Sequence, residues 1–386
     1  MAANDGASDR QSGLMPSTAR TAVTVVFFAS GASYGSWVAR IPALQDGLEA
    51  TKSELGLALF GVAAGAVVAL PLAGWLSTRL GSRRVTRAAL VAIALALPLP
   101  ALASSLLGLG LAFAALGGAG AMLDLAMNAH GVAVEERYAR PILSSFHASF
   151  SFGGLVGAVV GGLAAAAGIS PLVQFTGAAA VIAAIAVWSG RSLLSRHVDR
   201  VETGPVYGRP SRALAALAVL AFAVLLAEGA AADWSGVYLN DTIGTGEGAA
   251  TTAFIAFSAT MTLGRVAGDR LTAAWGSVAL TRAAGALAAA GLGSALLVES
   301  APVAVVGFAC LGAGLATVVP TVFRAAGTRT SSPGAGIAAV STVGYSAFLV
   351  GPPIIGLLAD ATSLRLALAV VVGLCALIAV LAGATR

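Results

Sequence analysis

Apolar runs long enough to cross a bilayer recur along this chain, and few folds can accommodate that pattern. Ala22–Val38, Leu55–Leu76, Ala88–Ala112, Ile142–Ala167, Leu214–Ala227, Ala283–Val298 and Leu366–Ala382 are the clearest. A helix needs about 20 residues to span roughly 30 Å of hydrocarbon, and most of these runs approach that length. In lipid the backbone must satisfy its own hydrogen bonds, which leaves helices or a closed barrel. A barrel would show alternating segments of about ten residues, and none is visible. The chain of 386 residues is 58% hydrophobic and 10% charged, with a mean hydropathy of +0.90. A soluble domain carries about 25% charged residues, so a water-facing surface cannot be covered here. The sequence therefore reads as an all-α integral membrane protein.

Breaks at Gly, Pro and charge clusters divide the runs into twelve spans near 20–39, 55–78, 85–104, 107–135, 141–167, 171–190, 212–239, 248–271, 278–298, 301–324, 334–359 and 364–384. The one long polar connection, Arg191–Arg212, splits the spans six and six. The expected organisation is a disordered cytoplasmic tail (1–19), a six-helix bundle (20–190), a cytoplasmic linker (191–211) and a second six-helix bundle (212–386). No cleavable signal peptide is visible. With the N-terminus inside, the outer loops hold three of the 22 Lys and Arg (Arg40, Lys52 and Arg365), and the remaining 19 fall to the cytoplasmic side. Such a bias sets orientation in short loops. Both termini are therefore placed in the cytoplasm. The pI near 9.8 reflects scattered loop arginines, which set topology and do not imply nucleic acid. Cys310 and Cys375 sit in apolar runs and read as core residues.

The halves repeat at an offset of 194 to 198 residues. Gly31–Pro42 aligns with Gly229–Asn240, and Gly118–Asn128 with Gly312–Val322. Like-oriented repeats of this kind build secondary transporters. Glycines recur in both halves, which suits close helix packing. The polar residues do not recur: Asp124 aligns with Val318, His147 with Ser341, and Glu228 with Ser30. A scaffold can be symmetric, whereas a site for an asymmetric solute need not be. The unrepeated residues are the candidates.

Asp124 interrupts GGAGAMLDLAMNAHGVAVEERY, and intramembrane charges are functional by default. Asp124, Asn128 and Glu135 share one helix face, bordered by small residues that suit a water-filled cavity. Asp124 is read as a proton-coupling site or a hydrogen-bonding anchor. Glu228, deep in span seven, and His147, in SSFHASFS, are the other proton-coupling candidates. Each could equally be a partner for a neighbouring helix. Tyr34, Trp37, Asn128, Asp233, Trp234, Thr317, Thr321 and Tyr345 are the candidates for contacting a solute. Interface anchoring is an alternative for Trp37 and Trp234, and pairing with Arg40 is one for Asp233. Arg324 is read as a topology charge that could also bind an anion.

GWLSTRLGSRR, Gly74–Arg84, resembles the signature loop of the major facilitator superfamily, with Thr78 at the acidic position. The second-half counterpart keeps Asp269–Arg270. ASYGSWVARIPALQ, DLAMNAHGVAVE, RPILSSFHASFSFGG, ADWSGVYL and VGYSAFLVGPPIIG together resemble a bacterial branch related to fucose-permease-like and rhizopine-transport-like proteins. The resemblance implies alternating access between two pseudo-symmetric bundles around a cavity lined by spans 1, 4, 7 and 10. It assigns Gly74, Arg79, Gly81, Arg83 and Arg84, with Asp269 and Arg270 in the second half, to the signature loops of a transporter in a bacterial inner membrane. Glu135 and Arg137, which end span four beside the Arg83/Arg84 loop, read from their position as a cytoplasmic gate or else as a solvated loop that only sets topology. Gly153–Gly162 resembles the superfamily's antiporter motif, with Ala158 where proline belongs; a packing run of glycines is the other reading.

No Walker-type loop, metal-ligand spacing or catalytic constellation is visible, so an enzyme is not expected. The expectation is a proton-coupled secondary transporter of a small polar solute such as a sugar or sugar derivative. It would be monomeric in the bilayer, need no cofactor, and draw on the proton gradient. The alternatives are a proton antiporter exporting drugs or metabolites, and a non-transporting receptor.

Overall fold

The computed structural model describes residues 16–138, 142–194, 214–329 and 333–386. Most of the expected tail and linker therefore lies outside the described residues. Twelve helices cross the fold: α1 (Pro16–Val38), α2 (Lys52–Leu80), α3 (Ser82–Leu102), α4 (Leu106–Tyr138), α5 (Leu143–Ala166), α6 (Pro171–Ser192), α7 (Ala215–Ile243), α8 (Glu247–Trp275), α9 (Ser277–Val298), α10 (Ala301–Thr328), α11 (Pro333–Ala361) and α12 (Leu364–Leu381). Among the described residues there is no strand. Every expected span has its helix, with ends displaced by a few residues. Three features go beyond the expected spans. α3 breaks at Leu97–Pro98, α10 breaks at Ala316–Thr317, and α7 ends in a π-turn, Tyr238–Ile243.

The helices form two six-helix bundles, α1–α6 and α7–α12. Inside each, glycines let backbones approach without side chains between them. A Cβ placed on Gly31 would lie 1.9 Å from the carbonyl oxygen of Phe150, and one on Gly157 would lie 2.2 Å from that of Ala32. Gly153 and Gly161 meet α1 in the same seam, while Gly162 meets Thr251 of α8. The antiporter-like run is thus a packing surface. The repeat also shows in the turns. Gly81, between α2 and α3, has φ +82°, and Gly276, between α8 and α9, has φ +73°. These conformations suit glycine alone.

The two faces of the molecule differ. The face bearing Pro16 and Arg386 is here termed the terminal face, and the opposite one the far face. The halves are drawn together at the far face by α2 against α11 and α5 against α8. A Cβ on Gly56 would lie 2.4 Å from the oxygen of Pro352, and one on Gly356 2.3 Å from that of Lys52. Polar bonds follow the same seam. Asp360 of α11 accepts from the backbone N–H groups of Lys52 and Ser53 at 3.0 and 2.9 Å. The Lys52 ammonium pairs with Asp241. Asn240 donates to Asp46 at 3.3 Å, and Arg40 pairs with Glu247 at 3.5 Å.

Candidate functional site

Between the halves, on the terminal side of that closed seam, polar groups from six helices face a common space. α4 contributes Asp124 at mid-span, held by Asn128 one turn on. The Asn128 amide donates to the Asp124 carboxylate at 3.0 Å and to its backbone carbonyl at 2.9 Å. The Asp124 side chain is solvent-accessible, and Tyr345 of α11 lies within electrostatic reach of both Asp124 and Glu228. An acid pointing inward from a membrane helix needs water or a partner, and a cavity between bundles supplies the first.

α7 contributes Glu228, whose partner is Arg265 of α8. One guanidinium nitrogen lies 3.4 Å from each carboxylate oxygen. The two side chains are 39% and 17% exposed, Arg265 being the more accessible. His147 of α5, accessible and packed edge-on against Phe27 at 5.3 Å, faces the same arginine. Tyr34 of α1 is half-buried between Trp37 and Phe254 and senses the charges of Glu228 and Asp233. Asp233 has no hydrogen-bond or ion-pair partner among the described residues; its expected alternative, pairing with Arg40, is not formed. Arg40 instead donates to Gln174 and to the Ile169 carbonyl, both at 3.0 Å, and is itself buried.

The expected cavity wall is corrected in several places. Trp37 and Trp234 are 6% and 0% exposed and belong to the packed core; Trp37 lies against Phe113 at 5.3 Å. Thr317 and Thr321 lie in a separate crevice between α8 and α10, with Arg265 and Arg324. Polar groups also come from α5, α8 and α11, beyond the expected spans 1, 4, 7 and 10. The topology count gives Arg265 to the cytoplasmic side, although it lies within the expected span 248–271 and inside α8. The signal that marks it is the repeat: at the offset of 195 between Gly81 and Gly276, its first-half counterpart is Leu70. By the rule that selected Asp124, it is an unrepeated charge.

The expected terminal-face gate is reassigned in part. Glu135 caps α5, accepting from the N–H groups of Ile142 and Leu143 at 2.6 and 2.7 Å. A carboxylate on a helix N-terminus is favourable there, which explains an acid at the end of α4. Arg79 lies over the Trp75 ring at 4.6 Å, and Thr78 donates to the Trp75 carbonyl at 2.8 Å. Asp269 meets Arg324 at 3.5 Å, not its neighbour Arg270. Arg84, Arg137 and Arg270 are exposed. His130 is fully buried: it accepts from the Leu194 N–H at 3.1 Å and bonds Ser82 at 2.6 Å through its other ring nitrogen. It ties the α3 start to the α6 end and serves structure.

At the far face Asp46 stands outside the spans. Burial first, and the neighbouring Asp241 second, push its carboxyl up, against the opposing effects of the Asn240 hydrogen bond and Lys52.

Comparison with known proteins agrees with this fold. The Major Facilitator Superfamily model matches residues 22–352. An uncharacterized transporter of Sinorhizobium fredii is 34% identical over 366 residues, covering 93% of this chain and 96% of the relative. The membrane protein MosC of Rhizobium meliloti is 31% identical over 366 residues, covering 93% of this chain and 88% of its own length. Among solved structures, a point mutant of the nucleoside transporter NupG superposes with TM-score 0.77 at 14% identity, covering 95% of this chain and 99% of that one. A bacterial homologue of the human lysosomal transporter Spinster gives 0.74 at 13%, covering 96% and 97%.

Proposed function

Because this chain belongs to the Major Facilitator Superfamily and is a multi-pass membrane transporter, we propose that it couples protons to the movement of a small polar solute such as a sugar, sugar derivative or nucleoside. The observation that carries this reading is the facing arrangement of Asp124–Asn128 on one half and Glu228–Arg265 on the other, with Tyr345 in reach of both acids. The acids stand on different bundles, and each is held within its own half, Asp124 by Asn128 and Glu228 by Arg265, so the charge of either sets the polarity of the space between the bundles. Amide, hydroxyl and guanidinium groups on facing helices suit hydroxyl-rich solutes. The Gly153–Gly162 run is accounted for by helix packing, which leaves export without that support.

The arginine bias supports a cytoplasmic terminal face in the inner membrane. On that orientation the far seam is closed toward the outside and the polar space opens to the cytoplasm, an inward-facing state. In the cycle, a proton on Glu228 would weaken its hold on Arg265. The far seam would then part as the terminal ends close.

The test is transport in proteoliposomes. Wild-type protein should accumulate its solute down an imposed pH gradient, with proton entry tracking solute entry. Asp124→Asn or Glu228→Gln should leave exchange of labelled solute running but strongly lower gradient-driven accumulation. If both variants keep wild-type solute-coupled proton flux, the coupling assignment is wrong.

A further inference from the structure

Two arginines of the second half share a small crevice that transport coupling leaves without a role. It lies between α8 and α10 on the terminal side and encloses about 60 Å³. That is well above the ~10–15 Å³ that one ordered water needs, so a small anionic group has room there. Arg265, Asp269, Thr317, Thr321 and Arg324 line it. The break of α10 at Ala316–Thr317 sets Thr317 into its wall, and Thr321 turns its hydroxyl back to the Thr317 carbonyl at 2.7 Å.

Both arginines are loosely held. Arg265 is 3.4 Å from Glu228 and Arg324 is 3.5 Å from Asp269, whereas charge-assisted bonds close to about 2.7–2.9 Å. A guanidinium has five N–H donors, so both keep donors to spend. Asp269 is 97% exposed and so well hydrated, a weak competitor for Arg324. The lining thus carries two cations against one screened acid. Forked guanidinium pairs suit planar carboxylates and phosphates.

We propose that this crevice is a subsite for the anionic group of the transported solute, which makes the cargo a sugar acid or similarly charged polyol. The inference rests on the polar-solute reading and sharpens it. Arg265 faces the crevice on one side and Glu228 on the other, so the bound anion and Glu228 compete for one guanidinium. Arg324, at the mouth, captures the anion first and sets the preference for charged over neutral cargo.

The test is thermal unfolding in phosphatidylcholine nanodiscs at neutral pH and constant ionic strength, with D-glucuronate and D-glucose as matched probes. Glucuronate at millimolar concentration should raise the wild-type Tm by about 2 °C or more, and glucose by less than half as much. Arg324→Gln should erase that difference, and Arg324→Lys, which keeps the charge, should retain part of it. Equal shifts from both sugars would overturn the anionic subsite while leaving the polar-solute reading standing. Shifts from lipophilic cations alone would overturn both. A glucuronate shift unaltered in Arg324→Gln removes the crevice from recognition. A rise on adding phosphatidylglycerol, with none from glucuronate, assigns the two arginines to a lipid headgroup and ends the proposal.

Discussion

Asp124 and Glu228 differ in how their charges are supported, and their variants should differ accordingly. Asp124 has one amide donor, from Asn128, and no cation. Replacement by Asn keeps a hydrogen-bonding group of the same shape, so the fold should tolerate it. Glu228 holds Arg265, and Glu228→Gln frees that guanidinium. We expect Glu228→Gln to lower gradient-driven accumulation roughly tenfold, about 1.4 kcal/mol of coupling, with the exchange rate changed far less. Accumulation and exchange falling together would mean a structural role instead. Asp46 gives the pH dependence outside the spans. Its carboxyl is pushed up by burial and by Asp241. Its neutral form is thus favoured while the far seam is closed, and that seam should gain stability as pH falls through the raised value. Asp46→Asn should mimic the acid condition, raising Tm near neutral pH, with the gain vanishing in acid. A thermal melt series in detergent against pH checks it, and a Tm loss at neutral pH would contradict it.

Helix ends carry more of the function than the sequence disclosed. The α2 N-terminus has its own capping box, with Thr51 accepting from Glu54 N–H and Glu54 accepting from Thr51 N–H. That leaves the N–H groups of Lys52 and Ser53, and both are taken by Asp360 from the other half. The cap is thus made only when the far seam is closed. Asp360→Ala should lose about 1 kcal/mol of that closure, roughly a fivefold shift in population. Spin-label distances between positions 49 and 245 should then show a larger open fraction; an unchanged distribution would mean the cap contributes nothing to closure. The turn glycine is a separate matter of backbone strain. At φ +82° and ψ 152°, Gly81→Ala should cost on the order of 1–3 kcal/mol, read as a lower Tm. The spans themselves were legible, because about 20 apolar residues in lipid allow little but a helix. The break at Ala316–Thr317 has a local cause that the sequence carries: Pro320 lacks the N–H that would reach the Ala316 carbonyl four residues back, and its ring crowds that carbonyl. Trp37 and Trp234, expected as solute contacts, could not be told from core by sequence, because aromatics suit cavities, interfaces and cores alike and only packing decides. Arg265 was readable from the repeat, but a topology count that gives every remaining arginine to the cytoplasmic side hides it.

At the scale of the whole molecule, the seam between halves is closed at one end and polar groups are exposed at the other. Glycine-mediated backbone contacts, Gly56 with Pro352 and Gly356 with Lys52, bring α2 and α11 into close approach at the far face. Such packing is bistable: it is made or it is parted, with little between. A rigid bundle on each side therefore turns a small change near Glu228 into a rotation of the halves. The consequence can be tested by holding the seam shut. With Cys310 and Cys375 replaced by alanine, Lys52→Cys and Asp241→Cys can be bridged by a short bis-methanethiosulfonate reagent. The bridged protein should lose transport to background, and reductant should restore it. Ligand binding from the terminal side, followed by thermal shift, should survive the bridge, because the polar space lies on that side of the seam. Loss of binding together with transport would place the solute path through the far face in this state and would undo the assignment of the open side.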